Sequence, residues 1–118
     1  MTRWEIIETS EYQEWEAGLT QKQQEAIDER TEKLKEIGPA LGRPDVDRIH
    51  RSKLHNLKEL RVSSRGVIRI LFIFDPNRQA VLLIGGFKSD ENKWNKWYRE
   101  FIPRAEQIYE RYLETKEK

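Results

Sequence analysis

The sequence predicts an α+β domain, an antiparallel sheet of about four strands with helices packed against one face, in the order βααβββα. Three observations predict it. Strand-type apolar runs follow one another between residues 57 and 87; two capping signals precede helical spacing before residue 40; and a helical stripe of aromatic and aliphatic residues fills the last quarter of the chain.

Trp4-Glu5-Ile6-Ile7-Glu8 reads as a short strand with Trp4 and Ile6 on one face. Ser10 reads as an N-cap with Gln13 completing a capping box, and Thr20 with Gln23 repeats the signal. Behind Thr20, Ala26, Ile27, the Arg30 stem, Leu34 and Ile37 keep helical spacing until Gly38-Pro39 stops the run. After the polar stretch GRPDVDRIHRSKLHN come three strand candidates, Leu57 to Ser63, Val67 to Asp75 and Gln79 to Phe87, joined by short turn sequences that predict an antiparallel meander. From Asn92 to about Glu114, Trp94, Trp97, Tyr98, Phe101, Ala105, Ile108 and Tyr112 follow helical spacing, and Pro103 predicts a break near Phe101–Pro103.

The 118 residues suit one domain, 1–118, with 36% hydrophobic content to supply a core. Without cysteine there is no disulfide scaffold, thiolate zinc site or cysteine nucleophile. No apolar run approaches the roughly 18 residues of a membrane span, and the opening MTRWEIIETSEY lacks a signal-peptide apolar stretch, so a soluble cytoplasmic protein with no membrane partner is expected. His50 and His55 are five apart, which does not suit a helical metal pair, and no motif completes a metal or cofactor site. P-loop, dinucleotide-binding and nucleophile-elbow patterns are absent from the sequence as well.

The net charge of +1 conceals segregation: residues 1–42 hold 5 basic and 10 acidic side chains, whereas residues 43–69 hold 8 and 3. A chain neutral overall but locally basic suits one polyanion-facing side, although charge runs also serve as plain solvated faces. Alternation puts Lys58, Leu60 and Val62 on one side of their strand and Glu59, Arg61 and Ser63 on the other. A three-residue turn at Ser64-Arg65-Gly66 pairs residues whose numbers sum to 130, which sets Arg61 opposite Arg69 on one face. Like charges in that position need an anion between them; Glu59 could serve, and so could a phosphate. Gly85-Gly86 could host a bulge that re-aims Lys88, and Arg51, Lys53 and His55 could fold over the same face. Trp94, Trp97 and Tyr98 read mainly as core, with Trp97 or Tyr98 available to stack on a base. A basic set of this kind can stabilise the negative charge of a phosphoryl transition state without metal, with His55 or a lysine carrying the proton.

The runs KLHNLKELR at Lys53 to Arg61, RILFIFD at Arg69 to Asp75, VLLIGGFK at Val81 to Lys88 and WNKWYREFIPRA at Trp94 to Ala105 resemble the phage-derived HigB-like branch of the RelE/ParE toxin superfamily, over about residues 3–115. The resemblance implies a RelE-like fold and the toxin of a type II toxin–antitoxin pair, a metal-independent endoribonuclease that cuts mRNA on the ribosome. It implies a cognate antitoxin, usually a small helix-turn-helix protein, and no cofactor. By the same resemblance, Arg61 and Arg69 stabilise the transition state, and Lys53, His55 and Lys88 serve in proton transfer or phosphate contact. Arg51, Lys58, Arg65, Trp97 and Tyr98 complete the expected RNA-binding set. Many relatives carry two adjacent lysines after the last strand, where this chain has Lys88-Ser89-Asp90. Two other classes compete: a ParE-like inhibitor of DNA gyrase, and an inactive phage-type protein that only binds its partner.

Overall fold

The computed structural model describes residues 3–62, 68–87 and 94–116. Strand β1 (Glu5–Glu8) leads into helices α1 (Ser10–Ala17) and α2 (Gln21–Ile37), and a 3-10 turn (Gly38–Ala40) precedes β2 (Val46–Arg48). Then follow β3 (Leu57–Val62), β4 (Ile68–Asp75), β5 (Gln79–Phe87) and helix α3 (Trp94–Lys116). The five strands lie in the order β1-β5-β4-β3-β2.

The meander β3-β4-β5 is antiparallel as expected, and the predicted register holds, with Arg61 opposite Arg69. Two features depart from the expectation. β2 is an additional strand, giving βααββββα; its three residues carry one apolar side chain, Val46, too short a pattern to register as alternation. And β1 runs parallel to β5: α1 and α2 carry the chain from β1 at one edge of the sheet to β2 at the other, and the strands that follow bring it back to β5 beside β1.

The helices also cover both faces rather than one. Tyr12, Ile27 and Leu34 from α1 and α2 pack on Leu60, Val62, Ile70, Phe72 and Leu82, while Ile102, Ala105 and Ile108 of α3 pack on Leu57, Leu71, Ile73, Val81 and Leu83. Strands apolar on both faces require two covers. Ile37, which keeps the helical spacing of Ile27 and Leu34, is 43% exposed at the end of α2.

Local chemistry sets the element ends. The cap of α1 is Thr9, not Ser10: its hydroxyl oxygen accepts from Tyr12 N–H and lies within hydrogen-bond reach of the Leu82 and Leu83 carbonyls. Those carbonyls flank the sheet's register shift, where Leu71 faces Ile84 and Phe72 faces Leu82, so the extra residue is Leu83 and not the Gly85-Gly86 pair. The glycines serve packing instead. A Cβ on Gly85 would stand 2.4 Å from the Trp15 ring and one on Gly86 2.2 Å from Trp97 Nε1, so each indole rests on bare backbone. Thr20 and Gln23 form the expected capping box, and Gly38 ends α2 with φ +68.

α3 is unbroken through Pro103. A proline inside a helix forfeits one backbone hydrogen bond and costs about 3 kcal/mol. Here Pro103 and Arg99, four residues earlier, are both solvent-exposed, while Ile102, Ala105 and Ile108 hold the helix on the sheet from either side. Burial on the inner face therefore outweighs the local preference for a break.

Candidate functional site

β2, β3 and β4 present Asp47, Glu59, Arg61 and Arg69 on the face that α3 covers. Register sets like against like, Asp47 opposite Glu59 and Arg61 opposite Arg69, and the diagonals resolve the repulsion. Arg61 donates from Nε to Glu59 Oε1 at 3.1 Å and from Nη2 to Asp47 Oδ2 at 3.1 Å. Arg69 Nη1 stands 3.9 Å from Glu59 Oε1 and donates to the Tyr98 hydroxyl, which in turn donates to Glu59 Oε2. The Arg69 guanidinium also lies 5.6 Å from the centre of the Tyr98 ring.

Glu59 is thus the hub, its side chain 3% exposed, against 31% for Arg61 and 17% for Arg69. The basic set that the sequence offers to a phosphate is therefore neutralised at rest from within the fold. The two guanidinium groups do share a face, but two carboxylates partner them and Tyr98 roofs Arg69. Of the two anions the sequence left open between the arginines, the structure places Glu59 there. A single buried carboxylate holding two like-charged groups is the arrangement that lets them stand opposite each other.

The cleft over this cluster has a volume of about 280 Å³ and is lined further by His50, Arg51, Asn95 and Ile102. Burial, then the hydrogen bond to Glu59 and its charge, push the Tyr98 phenol well above its ordinary pKa, with Arg69 pulling the other way, so it is a proton-bearing donor at neutral pH. For Asp47, burial works to raise the pKa, but hydrogen bonds from Arg43 and the Arg48 N–H, with the charges of Arg43 and Arg61, hold it below the usual value.

Of the sequence-derived candidates, Arg51, Arg61, Arg69 and Tyr98 come together at this cleft. Lys53 does not: its Nζ pairs with Glu110 of α3 at 2.8 Å, and its N–H donates to Glu106. His55 lines a different cleft with Lys58, and Lys58 projects to the opposite sheet face, its Nζ 5.2 Å from the Phe74 ring. Trp97 stacks on Phe101, 5.1 Å between ring centres, beside Trp15 at another groove. Arg65 and Lys88 lie outside the described residues. Reasoning from sequence did not place His50 or Asp47 at this cleft; recognition of β2 would have found Asp47, the cross-strand partner of Glu59. Among the described residues no group of three or more His, Asp or Glu is placed to hold a metal ion, and no helix is long and apolar enough to cross a membrane.

What this cluster offers chemically is fixed positive charge, a phenolic donor and a neighbouring imidazole around a small polar cleft. Residues 14–110 match the family described as "Phage derived protein Gp49-like (DUF891)". The chain is 41% identical over 108 residues to the "Putative toxin HigB3" of Mycobacterium tuberculosis, covering 92% of each. With HigB2 of the same organism it shares 43% identity over 101 residues, 84% of this chain and 49% of that one. Among solved structures, a chain of the toxin–antitoxin complex RelBE2 from Mycobacterium tuberculosis superposes with a TM-score of 0.58 at 18% identity, covering 74% of this chain and all of that chain, a likeness of fold. The two-face packing, the meander and these matches agree: the chain belongs to the phage-derived Gp49-like family and is a homologue of the HigB-type toxins, with a RelE-like fold.

Proposed function

We propose that the chain is the toxin of a type II toxin–antitoxin pair, a single toxin domain that acts in the cytoplasm as a metal-independent endoribonuclease on ribosome-engaged mRNA. The observation that carries this reading is the placement of Arg61 and Arg69 as cross-strand partners at one cleft with Tyr98 and Arg51. Likeness to HigB3 supports the toxin class, and the RelBE2 complex supports an antitoxin as partner.

In the proposed reaction the ribose 2′-oxygen attacks the adjacent phosphorus, the P–O5′ bond breaks, and the products are a 2′,3′-cyclic phosphate and a 5′-hydroxyl. The attacking hydroxyl loses a proton and the leaving oxygen gains one. Arg61 and Arg69 neutralise the charge that builds on the phosphorane, exchanging contacts with Glu59 and Asp47 for contacts with phosphate. Proton transfer falls to His50, which lines the cleft, in place of His55, which does not. Lys88 keeps its proposed role in phosphate contact.

Mapping RNA 5′ ends after induction tests the proposal. New ends within coding sequences are expected from the wild type, and Arg61→Ala or Arg69→Ala lowers their yield about 100-fold, the usual effect of deleting one transition-state donor. A DNA-damage response without new RNA ends would instead identify a gyrase inhibitor. Harmless expression without antitoxin would identify a protein that only binds.

A further inference from the structure

A second basic cleft opens on the reverse side of β2. Arg48 and Lys58 are cross-strand partners of β2 and β3, two like charges set directly opposite each other. On the other face the same conflict is relieved by Glu59 and Asp47. Here Arg48 Nη2 reaches the His55 carbonyl at 3.4 Å and Lys58 Nζ lies over Phe74, and among the described residues neither is paired with a carboxylate. Arg43 and His55 join them around a cleft of about 390 Å³. The cleft's one carboxylate among the described residues, Asp47, is committed to Arg43 and to Arg61. Burial and the charge of Arg48 both press Lys58 toward losing its proton, the electrostatic cost of a missing counter-ion.

We propose that this cleft is a phosphate-binding subsite for the RNA strand, formed by Arg48 and Lys58 with Arg43 and His55 at its rim. The strand is favoured over a free anion because Asp47 and Arg48 line this cleft and the arginine cleft alike. Only β2, a three-residue strand at the edge of the sheet, separates the two. A phosphate backbone passing round that edge meets Arg61 and Arg69 on one face and Arg48 and Lys58 on the other. The inference rests on the nuclease reading for its substrate, but the subsite binds and does not cut, so the two are tested apart.

The experiment titrates isotope-labelled protein with a short single-stranded RNA fully 2′-O-methylated to prevent cleavage, and separately with inorganic phosphate. RNA is expected to shift the amide resonances of Arg48 and Lys58 together with those of Arg61 and Arg69. The double variant Arg48→Gln/Lys58→Gln should bind RNA about tenfold more weakly, with the slope of log K against log salt reduced by about 0.7 for each phosphate that is no longer neutralised. It should raise KM for cleavage and leave kcat unchanged. The single variant Arg48→Gln, at an exposed position on the edge strand, reads the same effect if the double variant fails to fold. RNA shifts confined to Arg61 and Arg69, or an unchanged affinity and salt slope, overturn the inference and leave the nuclease reading standing. Phosphate binding without RNA binding at this cleft overturns the assignment to RNA. Binding round the edge by a wild type that makes no cuts supports the subsite and removes the nuclease.

Discussion

At the scale of single residues, Glu59 decides how the site stands at rest. Its two carboxylate oxygens receive Arg61 and Tyr98 and sit beside Arg69, at 3% side-chain exposure. Replacing a charged acceptor by a neutral one at such a hub weakens several charge-assisted hydrogen bonds together. Glu59→Gln is expected to lower stability by about 2 kcal/mol, measured by urea denaturation. Tyr98 gives a pH signature. Its phenol is neutral when protonated and its pKa is raised in the fold, by burial first and then by Glu59, so the stability it contributes is complete below the unfolded phenol value of about 10 and declines as pH rises toward the folded value. Tyr98→Phe should reduce the alkaline loss of stability by at most about 1.4 kcal/mol per pH unit between the unfolded and folded phenol values. Tyr12, raised by burial and Glu16, leaves a residual slope in that variant.

Among the elements, α3 departs most from its local sequence preference. Pro103 sits inside a 23-residue helix with its outer side in water. Restoring the missing backbone donor without changing the buried face should help, so Pro103→Ala is expected to raise stability by about 1–3 kcal/mol, read from the denaturation midpoint. β2 shows the opposite relation. Three residues with a single apolar side chain have little intrinsic strand signal, and they are held by pairing with β3 and by the Arg61 N–H bonded to Asp45 O at 2.7 Å. Asp45 is itself anchored to α2 through Lys33 at 2.6 Å and Arg30 at 3.1 Å. The turn between β4 and β5 was legible because its chemistry is local: Asp75 accepts from Asn77 N–H at 2.7 Å, and Arg78 takes φ 59.

For the molecule as a whole, one sheet separates two cores and couples them. Leu71 and Phe72 are adjacent, both fully buried, and face opposite helical layers. A cavity on either side should therefore destabilise both. Leu71→Ala is expected to cost about 3 kcal/mol and to leave one unfolding transition, coincident by near- and far-ultraviolet circular dichroism. Two separate transitions would mean that the layers fold independently.

The sequence by itself determined what depends on neighbours a few residues apart: the meander, the capping box at Thr20, the faces of β3 and β4, and the register that sets Arg61 against Arg69. Only the tertiary structure decided which cations share a cleft and what neutralises them. Tyr98 meets Glu59 across 39 residues of chain, and Lys53 is drawn to Glu110 and away from the arginines. Periodicity assigns a side chain to a face, but the choice of which face is covered, and by which helix, arises from burying two apolar sheet surfaces at once. That choice set Arg69 beneath Tyr98 of α3 and left the side chains of Arg48 and Lys58 on the other face, where among the described residues neither is paired with a carboxylate.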